Sequence, residues 1–154
     1  MRIFVTGANG QLGQELVRCV TAAGHTAIGS THESLDITNE QAVIATISEA
    51  KPDVVIHAAA WTAVDACESD PNKAMLVNGT ATAYIAAAAH AVGAHVVYIS
   101  TDYVFDGTKT SPYVEADVPN PTSVYGESKL AGERALGATD AIVRIAWVSG
   151  YHGA

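Results

Sequence analysis

The sequence predicts an α/β fold, a doubly wound parallel sheet with helices on both faces, and three observations predict it. Short apolar runs alternate with amphipathic stretches along the chain. A glycine-rich turn joins the first run to the first amphipathic stretch, and Val96-Val97-Tyr98-Ile99 is apolar throughout, as in a strand covered on both faces. Right-handed crossovers between successive strands make such a sheet parallel.

Each element has its own signal. Ile3-Phe4-Val5 is the first strand. Leu12, Leu16, Val17 and Val20 recur at helical spacing and mark the inner face of the first helix, which Gly24 ends. His25 to Gly29 is the second strand. Thr38, with Gln41 three residues on, reads as the N-cap of a capping box. The helix that follows is expected to bury Val43, Ile44 and Ile47 and to stop before Pro52. Asp53 to His57 is the third strand, and an alanine-rich helix runs roughly from Pro71 to Ala91. His95 to Ser100 is the fourth strand. A polar segment with Gly107 and Pro112 leads to a helix from near Ser123 to near Gly137, and Ala141 to Ile145 is the fifth strand. Trp147 to Ala154 reads as the start of a loop. No linker, internal repeat or second domain is visible.

The totals narrow the function classes. A chain of 154 residues suits one domain, and 49% hydrophobic with 16% charged residues fits neither a disordered nor a membrane protein. The formal net charge of -8 disfavours nucleic acid as a partner, while backbone N–H groups can still hold a small anionic ligand. Cys19, in an apolar helical pattern, reads as a buried small hydrophobe, and Cys67, near a loop, as the more exposed; they have no metal-like spacing. The chain enters a strand at once with no signal segment, so a cytoplasmic setting is expected.

Gly7-Ala8-Asn9-Gly10-Gln11-Leu12-Gly13 lies between the first strand and helix. Gly7 permits the tight turn, Gly10 lets the chain approach a pyrophosphate, and Gly13 lets the helix pack on the strand. The helix N-terminus adds free N–H groups for phosphates. The placement is that of a Rossmann-like dinucleotide fold, although the spacing is G-x-x-G-x-x-G rather than G-x-G-x-x-G. After the second strand, Ser30, Thr31 and His32 are candidates to surround a 2'-phosphate, whereas Glu33 is a candidate to accept from free ribose hydroxyls. NADPH and NADH both remain open. Asp36 reads equally as an adenine neighbour or a turn residue. Ala58-Ala59-Ala60, after the third strand, leaves room for a flat cofactor.

Tyr125 and Lys129 are four apart, on one face of a helix. A lysine ammonium beside a phenol lowers its pKa, so the tyrosine can protonate a carbonyl oxygen as hydride reaches the carbon. Lys129 is also a candidate to hold the nicotinamide ribose. Thr101, just past the fourth strand, can polarise the same carbonyl, and strand alternation turns Ser100 away. Asn78 on the long helix is a candidate to keep the lysine in place, against the plainer reading of an ordinary polar helix residue.

Together these residues resemble the extended short-chain dehydrogenase/reductase superfamily and, within it, the dTDP-4-dehydrorhamnose reductase family. The likeness runs from Met1 essentially to the end. It includes the glycine loop, Leu35-Asp36-Ile37-Thr38, His57 through Asp65, Glu68, Val77-Asn78, Pro121 through Lys129, and Arg144-Ile145-Ala146-Trp147-Val148. Its most specific piece is Ser100-Thr101-Asp102-Tyr103-Val104-Phe105-Asp106-Gly107.

The resemblance implies a catalytic set of Thr101, Tyr125 and Lys129, with Tyr125 as proton donor. It implies reduction of the C4 ketone of a dTDP-linked 4-dehydro-L-rhamnose by NADPH or NADH, toward bacterial cell-surface polysaccharide. Asp102 and Tyr103 would lie beside the sugar and nicotinamide. It also implies a homodimer at full length with Mg2+ at the interface, for which Glu15 matches one ligand position. Trp61 and Cys67 depart mildly from the family pattern. Residues 1–154 are expected to be the NAD(P)-binding domain, with the C-terminal substrate-binding part absent and turnover by this chain alone inefficient. The competing expectations are another nucleotide-sugar epimerase or dehydratase of the superfamily, or a non-catalytic regulatory subunit.

Overall fold

The computed structural model describes residues 1–149. Its elements follow in the order β1 (Arg2–Thr6), α1 (Gln11–Ala22), β2 (Thr26–Ser30), α2 (Glu40–Ala50), β3 (Val54–His57), α3 (Val64–Ser69), α4 (Pro71–Ala74), a π-helical segment (Met75–Thr80), α5 (Ala81–Ala91), β4 (His95–Thr101), a 3-10 turn (Asp102–Val104), α6 (Val124–Glu133) and β5 (Ala141–Ile145). All four strand pairings are parallel, and the order across the sheet is β2-β1-β3-β4-β5. This is the doubly wound α/β arrangement that the alternating pattern predicts. The chain reverses direction across the sheet between β1 and β3, and their carboxyl ends form the crevice where ligands gather in such folds.

Strand alternation sorts the core into two layers. Phe4, Val55 and Val96 stand in one row across β1, β3 and β4 and pack beneath α2 and α5 with Val43, Ile47, Ile85 and Ala89. Ile3 and Val5 point to the other face and meet Leu16, Val17 and Val20 of α1. The alanines of α5 let that helix lie close against the sheet: Ala81, Ala86, Ala88 and Ala89 are all buried.

Several local expectations change. The N-cap of α2 is Asn39, whose side chain accepts from the Ala42 N–H. Thr38 is occupied otherwise: its N–H and hydroxyl both donate to Asp36 Oδ1, at 2.9 and 2.7 Å, which makes Asp36 a turn residue. Ile44 is exposed, because the buried face of α2 narrows to Val43 and Ile47. Cys19 is exposed and Cys67 fully buried, the reverse of the expectation. Cys67 sits on α3, packed with Ala74 and Tyr125. The long alanine-rich helix is interrupted by the π-helical segment. The last helix ends earlier than expected, at Glu133. Of the expected terminal loop, residues 150–154 lie outside the described residues. Trp147 is almost wholly exposed, with φ of 48°.

Among the described residues, no helix is long and apolar enough to cross a membrane.

Candidate active site

The β1–α1 turn shows why glycine stands at its positions. Gly7 has φ of 68°, a left-handed conformation that favours glycine, and a Cβ there would lie 2.9 Å from the Ala59 backbone. A Cβ on Gly13 would overlap the Gly7 carbonyl oxygen. Gly10 is different: its Cβ would meet only the Gly7 oxygen, at 3.3 Å, and otherwise face open space. The turn is closed by the Gly10 N–H donating to the Gly7 carbonyl, and α1 starts without a side-chain cap. Its first N–H groups therefore remain available to an anion.

Two cavities flank this turn. The first, of about 420 Å3, is lined by Gly7, Gly10, Gln11, Leu12, Gly13, Ala58, Ala60, Thr101, Tyr103, Tyr125 and Lys129, among others. The second, of about 360 Å3, runs toward the end of β2 and is lined by Asn9, Thr31, His32, Asp36, Ala58, Ala59, Ala60, Trp61 and Lys73, with others. The chain thus brings the glycine loop and the Thr101, Tyr125, Lys129 group to a single crevice. Ser30 is buried at the end of β2 and lines neither cavity, and Glu33 is exposed outside both. Asp102 lines a separate groove with Phe105 and Arg144. Glu15 is ion-paired with Arg18 at 2.6 Å, and no group of three metal-ligating side chains converges among the described residues.

The three residues expected to carry the reaction are buried: Tyr125 is 8%, Thr101 6% and Lys129 2% exposed. Ser123 caps α6 by accepting from the Gly126 N–H, which fixes the start of the helix that carries Tyr125 and Lys129. Tyr125 sits edge-on to Tyr103, ring centres 5.6 Å apart. Burial raises the Tyr125 phenol above its ordinary range, while a hydrogen bond with Thr101 works the other way. The expectation that the lysine charge lowers the tyrosine pKa does not hold in this geometry. Lys129 Nζ instead donates to the Ile99 carbonyl at 2.7 Å and lies 4.1 Å from the centre of the Tyr98 ring. Burial pulls the Lys129 ammonium down to about 7, opposed by the charge of Glu133.

Asn78 makes no hydrogen bond to Lys129. Its side chain accepts from the Trp61 N–H and donates to the Trp61 carbonyl and to Ser128 Oγ. It therefore ties the loop after β3 to the residue before Lys129. The Asn78 carbonyl, in the π-helical turn, accepts from Thr82 Oγ1 at 2.7 Å and from the Tyr98 hydroxyl at 3.3 Å.

Sequence reasoning missed the support beneath Ala58-Ala59-Ala60. His57 is 1% exposed, between Thr6 Oγ1 on Nδ1 at 2.7 Å and Thr82 Oγ1 on Nε2 at 3.2 Å. Thr82 donates its proton to Asn78, so Nε2 donates to Thr82 and Nδ1 accepts from Thr6. The imidazole is neutral, pushed down to about 3 by burial and the nearby Lys129 charge. Thr6 Oγ1 in turn accepts from the Ala59 N–H, fixing the floor of the crevice. A histidine at a strand end carried no distinguishing signal, because its partners come from β1 and α5.

Comparison with known proteins places this geometry. The family described as RmlD substrate binding domain matches residues 1–154. A dTDP-4-dehydrorhamnose reductase of Burkholderia thailandensis is 46% identical over 156 residues, covering 99% of this chain and 52% of that protein. A crystal structure of a dTDP-4-dehydrorhamnose reductase from Clostridium acetobutylicum superposes with a TM-score of 0.94 at 46% identity, covering 98% of this chain and 55% of that one. One from Bacillus anthracis, in complex with NADP, gives 0.94 at 38% identity, covering 99% and 56%. The chain spans about half the length of the curated relatives it matches.

Proposed function

Because this chain belongs to the dTDP-4-dehydrorhamnose reductase family, within the extended short-chain dehydrogenases/reductases, we propose that it forms the cofactor-binding half of an NAD(P)H-dependent enzyme. The reaction is reduction of the C4 ketone of dTDP-4-dehydro-L-rhamnose to dTDP-L-rhamnose. The carrying observation is the single cavity lined by Gly7, Gly10 and Gly13 on one side and by Thr101, Tyr125 and Lys129 on the other. We assign the sugar-nucleotide pocket mainly to sequence of the kind the relatives carry beyond the matched half, so turnover is expected of that longer polypeptide.

The residues present fit a dinucleotide. The absence of a side chain at Gly10 keeps the turn open to a pyrophosphate, and the uncapped start of α1 offers N–H donors to it. Asn9, Thr31, His32 and Asp36 lie along the cavity that would take the adenosine end, with Ala58-Ala59-Ala60 as its floor. Thr31 and His32 there, with Glu33 outside, support NADPH as the preferred form, and the bound NADP of the Bacillus anthracis relative agrees. When bound, the reduced cofactor supplies hydride to the ketone carbon.

The chain's own residues supply the proton and the orientation. Tyr125, raised by burial, keeps its hydroxyl proton at neutral pH and can deliver it from Oη to the ketone oxygen. Thr101 Oγ1 is the second donor for that oxygen. It now bridges to Asp102 Oδ1 at 3.1 Å and accepts from the Tyr103 N–H, which fixes its position. Lys129, near neutrality in its titration, can contact ribose hydroxyls and restore the tyrosine proton. Asp102 and Tyr103 are assigned to the sugar side, Tyr103 by its place in the main cavity. Cytoplasmic location, assembly as a homodimer and a metal held through Glu15 belong to this proposal only as expectations of the family likeness.

Tyr125→Phe in the full-length polypeptide tests the assignment. The expected result is a fall in kcat of roughly 100- to 10,000-fold with cofactor affinity nearly unchanged. Ketone reduction at the unaltered rate would remove Tyr125 as proton donor.

A further inference from the structure

Three elements, β4, α6 and β5, converge on one buried carboxylate beside the groups assigned to the reaction. Glu133 lies on α6 one turn after Lys129 and is 7% exposed. Its Oε1 accepts from the Ser100 hydroxyl at 2.5 Å and from Arg144 Nε at 2.9 Å, and its Oε2 from Arg144 Nη2 at 2.7 Å. Arg144 comes from β5, with its guanidinium 5.0 Å from the centre of the Phe105 ring. Ser100 stands between Ile99, whose carbonyl holds Lys129 Nζ, and Thr101.

We propose that Glu133 is a positioning residue for Lys129 and Thr101: one buried carboxylate anchors the end of β4 through Ser100 and provides the negative charge beside the Lys129 ammonium. The consequence for reduction rests on the function proposed above; the anchoring and the charge do not.

The geometry explains why a carboxylate is needed there. The Ile99 carbonyl can hold Lys129 only if the end of β4 keeps its place relative to α6. Glu133 bonds Ser100 from that helix, and the two-pronged contact with Arg144 fixes its own orientation. Lys129 is faced by Tyr98 from β4, by neutral His57 from β3, by Glu133 from its own helix, and by Arg144 of β5 through Glu133. Asp102, from the turn after β4, lies toward Tyr125. The π-helical segment brings the uncharged Asn78. Glu133 is thus the negative group that favours the charged lysine, partly balanced by Arg144.

The test is the titration of Lys129 in the full chain without cofactor, followed by 15N NMR of the lysine Nζ and assigned with Lys129→Arg. Glu133→Gln is expected to lower the midpoint by about one pH unit, and Arg144→Gln to raise it. A merely structural role predicts something else: loosening the site admits water and raises the midpoint in both variants. An unchanged or raised midpoint in Glu133→Gln would overturn the electrostatic part. Ser100→Ala leaves the ion pair intact and tests the anchor, including the case where Glu133→Gln does not fold. Amide exchange at Ser100 and Thr101 is expected to quicken at least roughly tenfold, and unchanged exchange would overturn the anchor. Cofactor binding enters neither readout, so a chain unable to bind NADPH would refute the proposed function and leave these results standing.

Discussion

At the scale of the residue, burial does more to the site than any pairwise charge. Tyr125 is raised and Lys129 lowered by the same loss of water, so both groups are biased toward their neutral forms. The stability consequence has a definite sign. Lys129 titrates near 7 in the folded chain against an ordinary value of 10.5. Between these values the unfolded chain holds a proton that the folded chain lacks, so stability rises with pH across that window. Below about 7 both states carry the proton and the buried charge weighs fully on the fold. Lys129→Met is therefore expected to raise Tm most below pH 7, with the advantage closing between pH 7 and 10. A Tm difference that is flat across this range in a thermal melt series would contradict the burial argument. The Tyr125 and Lys129 spacing was legible in the sequence, but the direction of the lysine side chain was not. That direction depends on the Ile99 carbonyl and the Tyr98 ring, which belong to a strand about thirty residues away.

At the scale of the element, the turn between β1 and α1 separates structural from ligand-directed glycines. A methyl group at Gly13 collides with the Gly7 carbonyl, whereas one at Gly10 makes only a tight contact with it, at 3.3 Å. Gly13→Ala is expected to cost the fold about 1–3 kcal/mol, visible as a lowered Tm. Gly10→Ala should leave Tm nearly unchanged but weaken NADPH binding roughly tenfold or more. If Gly10→Ala bound NADPH as tightly as the parent chain, the pyrophosphate would have to lie elsewhere. The positions of all five strands were legible because apolar runs and breakers mark them locally. Helix starts were less so: Thr38 and Asn39 are both capable caps. The choice of Asn39 follows from Asp36 already engaging the Thr38 hydroxyl. The depth of Cys67 was hidden for a similar reason, since α3 is covered by α6 from far along the chain.

At the scale of the whole molecule, the sheet places its two ligand-facing cavities on either side of the chain reversal between β1 and β3. The two lie side by side and share Gly7, Gly10, Ala58 and Ala60 in their linings. α1 covers one face of the sheet, while α2, α5 and α6 cover the other. The cavity proposed above for the adenosine end of the cofactor is lined by residues that all fall within 1–77. This predicts cofactor binding by the 154-residue chain in isolation. Isothermal titration calorimetry is expected to show saturable binding of NADPH, tighter than that of NADH. A chain that is folded yet binds neither would show that the crevice is not competent as it stands. The doubly wound fold was legible as a whole because it follows from strand order and handedness rules that act on any alternating pattern. The Glu133, Arg144 and Ser100 junction was not, because its three members come from α6, β5 and β4 and meet only in the folded chain.

The π-helical segment Met75–Thr80 makes chain length itself a constraint in that region. Such a turn holds one residue more than an α-helix of the same span. Deleting a residue within the π turn would return it to regular winding with its flanks in place, whereas a deletion just after it, early in α5, rotates everything beyond by about 100°. Asn78 and the Ile85, Ala89 stripe would then no longer face their partners together. Substitutions in this stretch can be absorbed one side chain at a time, but a change of register cannot.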